Sequence, residues 1–253
     1  MKNFVLAGVS SLAIAAAASA AFTGFQSTTS IVNFGSVDYA VINVYAGFDV
    51  NTAKVVNVFN ATISSTCTFV HQGGDTNWSP KPGDMGGAAN AVADSFVTIG
   101  GNQSQGGNPN LASNSTSADP NWGDDGFFQA GIPALAGWFN GNPPNNQGQA
   151  LAVGGLAGFN TFVGRFVCVA KKILKTTTVD GQGNILSVEF SDTADTLSFK
   201  ANVTATPTGN NGQSIKIFDY AFILNEQTVV IPAPGALALL GLAGLAGGRR
   251  RRA

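Results

Sequence analysis

Residues Thr196 to Thr206 read TLSFKANVTAT, and this stretch decides the fold class. Leu197, Phe199, Ala201, Val203 and Ala205 alternate with Ser198, Lys200, Asn202, Thr204 and Thr206. A period of two puts the first set on one side of an extended chain and the second on the other. The stretch therefore reads as a half-buried β-strand. Asn211-Gly212 follows, a dipeptide favoured in tight hairpins, and makes Ser214 to Leu224 the returning strand. Upstream, Phe159 to Lys172 alternates, with Phe162, Phe166, Cys168 and Ala170 on one face. Asp180-Gly181 then marks a turn into Asn184 to Phe190. These four stretches are expected to form an antiparallel meander, with Thr196 to Leu224 as its central or near-central hairpin.

Further strands are expected towards the N-terminus. Tyr39 to Phe48 and Lys54 to Ser64 are rich in β-branched and aromatic residues, and Cys67 to His71 and Asp94 to Ile99 read as shorter strands. Gln72 to Asn160 reads mostly as loop, with Pro80, Pro82, Pro109, Pro120, Pro133, Pro143 and Pro144 among many glycines and asparagines. Within it, Phe127 to Phe139 is more apolar and is expected to cover the core as a packed loop.

The two ends carry a different message. Lys2, the apolar run Phe4 to Ala18 and the small-residue site Ala18-Ser19-Ala20 together read as a secretory signal peptide cleaved after Ala20. The last residues, Ile231 to Ala253, read IPAPGALALLGLAGLAGGRRRRA. Pro232 and Pro234 keep the chain extended. From Ala233 to Gly248 there is no charge, and as a helix this run spans about 24 Å at about 1.5 Å per residue. A bilayer core is about 30 Å thick, so the span is marginal and suits a temporary anchor. Arg249, Arg250, Arg251 and Arg252 then stop translocation.

This order of motif, apolar run and basic end resembles the PEP-CTERM sorting signal of Gram-negative bacteria. The motif here is a Pro-Ala-Pro variant, Pro232-Ala233-Pro234 followed by Gly235. The resemblance covers only the tail. It implies export by the Sec machinery, transient anchoring in the inner membrane, and processing by an exosortase-type enzyme. It also implies a setting at the cell surface or in an extracellular matrix, among exopolysaccharide.

Residues 21–230 then form one domain, with 72–160 as its loop-rich part. Removing Lys2 and the four tail arginines leaves eight basic residues against 14 acidic, 8 − 14 = −6. A mildly acidic domain has no electrostatic reason to bind nucleic acid. A hydrophobic content of 44% argues against disorder throughout. Cys67 and Cys168 are the two cysteines, and in an exported chain they form either one disulfide or two buried thiols, the disulfide being preferred.

The sequence carries few marks of chemistry. His71 is the single histidine. No Gly-x-Ser-x-Gly elbow occurs in the mature chain, and no Walker loop or dinucleotide fingerprint occurs. The two glutamates, Glu189 and Glu226, single out no catalytic carboxylate pair. Asp119, Asn121, Asp124 and Asp125 are rich in oxygen but lack the EF-hand spacing, so they read as a solvated turn. Trp78, Trp122 and Trp138 lie in the loop-rich part and are candidates for stacking on sugar rings, against a plainer role as anchors.

The fold expected is all-β: a single antiparallel β-sandwich, jelly-roll-like, with a C-terminal transmembrane sorting helix. The function expected is that of a non-catalytic surface or matrix protein without cofactor or metal. A carbohydrate-binding module using the loop tryptophans is the alternative, and an unrecognised glycan-active enzyme a third class.

Overall fold

The computed structural model describes residues 21–71, 76–80, 94–100, 115–171, 173–193, 195–206, 210–220 and 223–230. The expected signal peptide and sorting tail, residues 1–20 and 231–253, lie outside them. The described residues hold twelve strands and two 3-10 turns, Pro120–Trp122 and Pro143–Asn145. The class is all-β, with mostly antiparallel sheets.

Two large sheets face each other. The first contains β1 (Phe22–Phe34), β2 (Val37–Phe48), β7 (Phe159–Val169) and β4 (Phe96–Val97), in the order β1-β2-β7-β4. The second has the order β11-β10-β3-β6-β5, from β11 (Asn210–Tyr220), β10 (Asp195–Thr206), β3 (Lys54–Ser65), β6 (Ala136–Asn140) and β5 (Thr116–Ala118). Ala40, Ile42, Val44 and Ala46 of β2 meet Leu197, Phe199, Ala201 and Val203 of β10 in one buried cluster. The period of two in β10 is realised residue by residue, from buried Leu197 to buried Ala205. Phe199 is its hub: its ring lies 4.8 Å from Phe25, 6.0 Å from Phe166 and 6.4 Å from Trp138. Phe25 and Phe166 belong to one sheet and Phe199 and Trp138 to the other, so these rings join the two layers.

A third sheet stands outside this sandwich. It contains β8 (Ile173–Val179), β9 (Ile185–Phe190) and β12 (Ile223–Val230) in the order β12-β8-β9. β8 and β9 are antiparallel, while β12 and β8 are parallel. None of the described side chains of β8 and β9 belongs to the two buried clusters.

The structure corrects several expectations. The four C-terminal stretches do not form a meander. β7 joins the first sheet, β10 and β11 the second, and β8 and β9 the third. The alternation from Phe159 to Lys172 ends at Val169, and a separate strand, β8, leads into the Asp180 turn. Asn211-Gly212 is not a turn. Thr204 pairs with Asn211 and Val203 with Gly212, so both lie within β11, and the Ala205–Asn210 pair puts the connection before them. The run from Ser214 to Leu224 is likewise divided between β11 and β12.

Phe162 also changes sides. Opposite Val44 and Tyr45, β7 advances from Gly164 to Phe162, leaving Val163 as an extra residue. Such a bulge reverses the alternation beyond it. Val163 therefore enters the main core, and Phe162 joins Tyr45 and Phe96 on the outer face of the first sheet.

Cys67 to His71 makes one bridge, Phe69 to Cys168, rather than a strand, and Asp94 to Ile99 contributes only Phe96–Val97. Phe127 to Phe139 is not purely loop, since β6 starts at Ala136. The longest strand, β1, was not expected at all. It meets β2 through Gly35 and Ser36, at φ 59° and 68°. Two consecutive left-handed residues between Phe34 and Val37 are the geometry of a two-residue hairpin loop.

Candidate functional site

The residues singled out by sequence divide into three groups: the tail, the cysteine pair and the aromatic set of the loop-rich part. The motif Pro232, Ala233, Pro234, Gly235 and the arginines Arg249 to Arg252 lie outside the described residues. β12 ends at Val230, so the domain hands over to the tail directly at its last strand.

Cys67 follows β3 in the second sheet, and Cys168 lies in β7 of the first. The two are joined as a disulfide, with Cα atoms 6.1 Å apart. The bond therefore ties one layer of the sandwich to the other. The segment after Cys67 is laced to the same place, as Val70 N donates to Val167 O at 2.8 Å and Ser95 N to Val70 O at 2.9 Å.

The three tryptophans are core residues. Trp78 and Trp138 are 0% exposed and Trp122 is 1% exposed. Stacking on a sugar needs an open ring face, so of the two readings this burial favours anchoring and speaks against glycan contact by Trp78, Trp122 and Trp138. Each indole N–H also donates to a backbone carbonyl: Trp78 to Gln129 at 3.1 Å, Trp122 to Gly137 at 2.8 Å and Trp138 to Thr98 at 2.9 Å. A buried indole needs such an acceptor, and here each acceptor belongs to a different part of the loop-rich region. The tryptophans thus draw this part of the chain inward, each with its indole N–H satisfied by a backbone carbonyl.

His71 and Asp94 form an enclosed titratable pair. Nδ1 of His71 lies 3.7 Å from Oδ1 of Asp94, and the His71 ring meets Trp78 edge-on at 4.5 Å. Ser95 adjoins this pair, but its hydroxyl accepts from Val167 N at 2.9 Å and donates to Val167 O at 3.3 Å. That hydroxyl is committed to the β7 backbone and is not aimed at the imidazole as a nucleophile would be. The group reads as a polar fastening of the Asp94–Gly100 segment onto β7.

The oxygen-rich turn has a structural use as well. Asp119 caps the 3-10 turn, accepting from Asn121 N at 3.0 Å, and Asn121 Nδ2 donates to Leu135 O at 2.7 Å. Asp124 and Asp125 are exposed beside it. Among the described residues, no three His, Cys, Asp or Glu side chains are grouped to hold a metal ion. Glu189 is exposed on β9, far in sequence from the other carboxylates of the loop-rich part.

Sequence reasoning missed the exposed apolar character of β9, where Ile185, Leu186, Val188 and Phe190 all face solvent. The run ILSVEF carried that signal, because its apolar residues fall on both sides of an extended chain.

No protein-family model, no curated protein and no solved structure matches this chain.

Proposed function

We propose that this is an exported, exosortase-sorted, non-catalytic protein of the cell surface or extracellular matrix. The observation that carries the reading is the pairing of the two ends. Met1 to Ala20 has the parts of an export signal, and Ile231 to Ala253 has motif, apolar run and arginine stop in the order of a sorting signal. In this reading the Sec machinery exports the chain, and residues 233–248 form a short transmembrane helix. An exosortase-type enzyme then cuts near Pro232 to release the domain among extracellular polysaccharide.

The domain supports this reading in two ways. A disulfide between its sheets suits an oxidising compartment outside the cytoplasm. Ser95, next to Asp94 in sequence, has its hydroxyl engaged with backbone, which suits a structural protein. A jelly-roll-like winding belongs to the same proposal. The chain crosses between the two large sheets from β2 to β3, from β3 to β4, from β4 to β5 and from β6 to β7.

The test is fractionation of wild type, a chain truncated after Ile231, and a chain with Arg249 to Arg252 neutralised. Wild type is expected in the outer fractions without its tail, and the truncated chain as a folded soluble domain in the medium. Burying one arginine at the bilayer centre costs about 2.5–3.5 kcal/mol. Without the four, the marginal span should slip through and processing should fail. Mature wild-type protein that keeps Arg252 and stays in the membrane would sink the sorting assignment.

A further inference from the structure

The edge strand β9 carries an inference of its own. Among the described residues, β9 has β8 on one side and no strand on the other. Its exposed apolar residues are large: Ile185 is 66%, Leu186 57%, Val188 43% and Phe190 52% exposed. Exposed edges normally carry charges or proline that discourage pairing with another chain. Ile185 to Phe190 reads ILSVEF, with no proline and a single charge, Glu189. Six apolar-rich residues of this kind at an edge form a template for another strand.

We propose that β9 is a self-association edge, pairing antiparallel with β9 of a second copy about a two-fold axis at Val188.

The backbone selects the register. Ser191 N donates to Leu174 O of β8, so the Ser191 amide points into the sheet. Alternation then directs the backbone groups of Glu189 and Ser187 towards β8 and those of Phe190 and Val188 away from it. Leu186 is the extra residue of a bulge, because Thr178 pairs with Ser187 and Val179 with Ile185. Only outward-pointing residues can pair across the new seam. With Val188 opposite Val188, Phe190 faces Leu186 of the other copy, and every large apolar residue of that stripe meets another.

Charge agrees with this register. Glu189 then faces Ser187 of the other copy. A shift by two residues would set Glu189 against Glu189, and like charges directly opposite each other are destabilising. A two-fold contact uses the same patch on both copies and closes as a dimer. The seam is short, below the area of a permanent complex, so association is weak and depends on concentration. Protein crowded on a surface or in a matrix meets that condition.

The test uses the full chain in detergent micelles, with single cysteines introduced. Cys67 and Cys168 are bonded to each other, so an added cysteine is the reactive one. Val188→Cys is expected to give a dimer with a short bismaleimide. Leu186→Cys and Phe190→Cys are expected to give one only when mixed, and Thr177→Cys on the central strand none. In a dilution series, Val188→Lys is expected to lower the dimer fraction about tenfold, since it places two cations opposite each other. Mixing Val188→Lys with Val188→Asp should restore it. Circular dichroism confirms that each variant keeps its β structure. A folded Val188→Cys chain that stays monomeric at every concentration overturns the proposal. Equal cross-linking at all four positions does the same, and so does a Val188→Lys chain that dimerises like wild type, as it would if the tail held the copies together. Vesicle binding that depends on Val188, without dimers, would assign the edge to lipid instead.

Discussion

The two-layer sandwich and the small third sheet are made of similar residues and treat them in opposite ways. In β10, Leu197, Phe199, Ala201 and Val203 are buried because a second sheet faces them. In β9, Ile185, Leu186, Val188 and Phe190 are exposed because nothing among the described residues does. β-branched and aromatic residues are enough to make a strand, but its stability comes from what packs on its face. Buried apolar surface contributes about 25 cal/mol per Å2, and β9 has little of it to contribute. The comparison predicts a domain whose sandwich is costly to disturb and whose third sheet is not.

The largest expected effect is at Phe199. Phe199→Asp places an unpaired carboxylate among Phe25, Phe166 and Trp138 and removes an aromatic ring, a loss of about 4 kcal/mol or more. Thermal or urea unfolding measures it, and normal stability of this variant would mean that β10 does not face the first sheet. Next comes the bond between the layers. Cys67→Ser with Cys168→Ser is expected to cost about 2–4 kcal/mol, since the cross-link closes a loop of 101 residues in sequence. Mass mapping of wild type without reductant is the companion measurement, and two free thiols there would remove the basis for this figure.

The smallest effect is expected at the tip of the third sheet. Asp180 accepts from Gln182 N and Asn184 N, each at 2.8 Å, and from Asn184 Nδ2 at 2.8 Å. The side-chain bond from Asn184 leads in holding this carboxyl below its ordinary value near 3.8, and the Asn184 backbone N–H adds to it. A folded pKa below the unfolded one means that the stabilisation is present above about pH 3.8 and is lost as pH falls through the lower folded value. Asp180→Asn should therefore speed amide exchange in β8 and β9 above that pH and leave it unchanged in strong acid. The melting temperature should stay within about 2 °C of wild type. A global loss of stability would show that the third sheet is part of the cooperative core.

How much of this was legible in the sequence depends on whether one face of a strand is wet. β10 was legible because its outer face carries Ser198, Lys200 and Asn202, giving a clean period of two. β7 is covered on both faces, and its bulge at Val163 left no mark in composition, so Phe162 was put on the wrong side. β1 was missed because its apolar residues, Phe22, Phe25, Ile31, Val32 and Phe34, follow no single period. Its turn, Gly35-Ser36, is also not one of the strongest hairpin signals. The Asn211-Gly212 signal was real as a preference, yet pairing with β3 and β11 fixed β10 through Thr206 and moved the connection beyond it. For the candidate residues, the cysteine pair was legible from number and compartment. The tryptophans left two readings open, anchor or sugar contact, because burial in a loop-rich region depends on carbonyls that only the fold brings within reach, such as Thr98 O for Trp138.

The disulfide has one more consequence. Cys67 and Cys168 stand on either side of the whole loop-rich part, from Gln72 to Asn160. A chain exported as proposed meets proteases, and irregular segments are where they cut first. A single cut anywhere in that part leaves the halves covalently bound, each with strands in both layers of the sandwich. The molecule can be nicked in its middle and still migrate as one piece, and only a reducing agent would reveal that it had been cut.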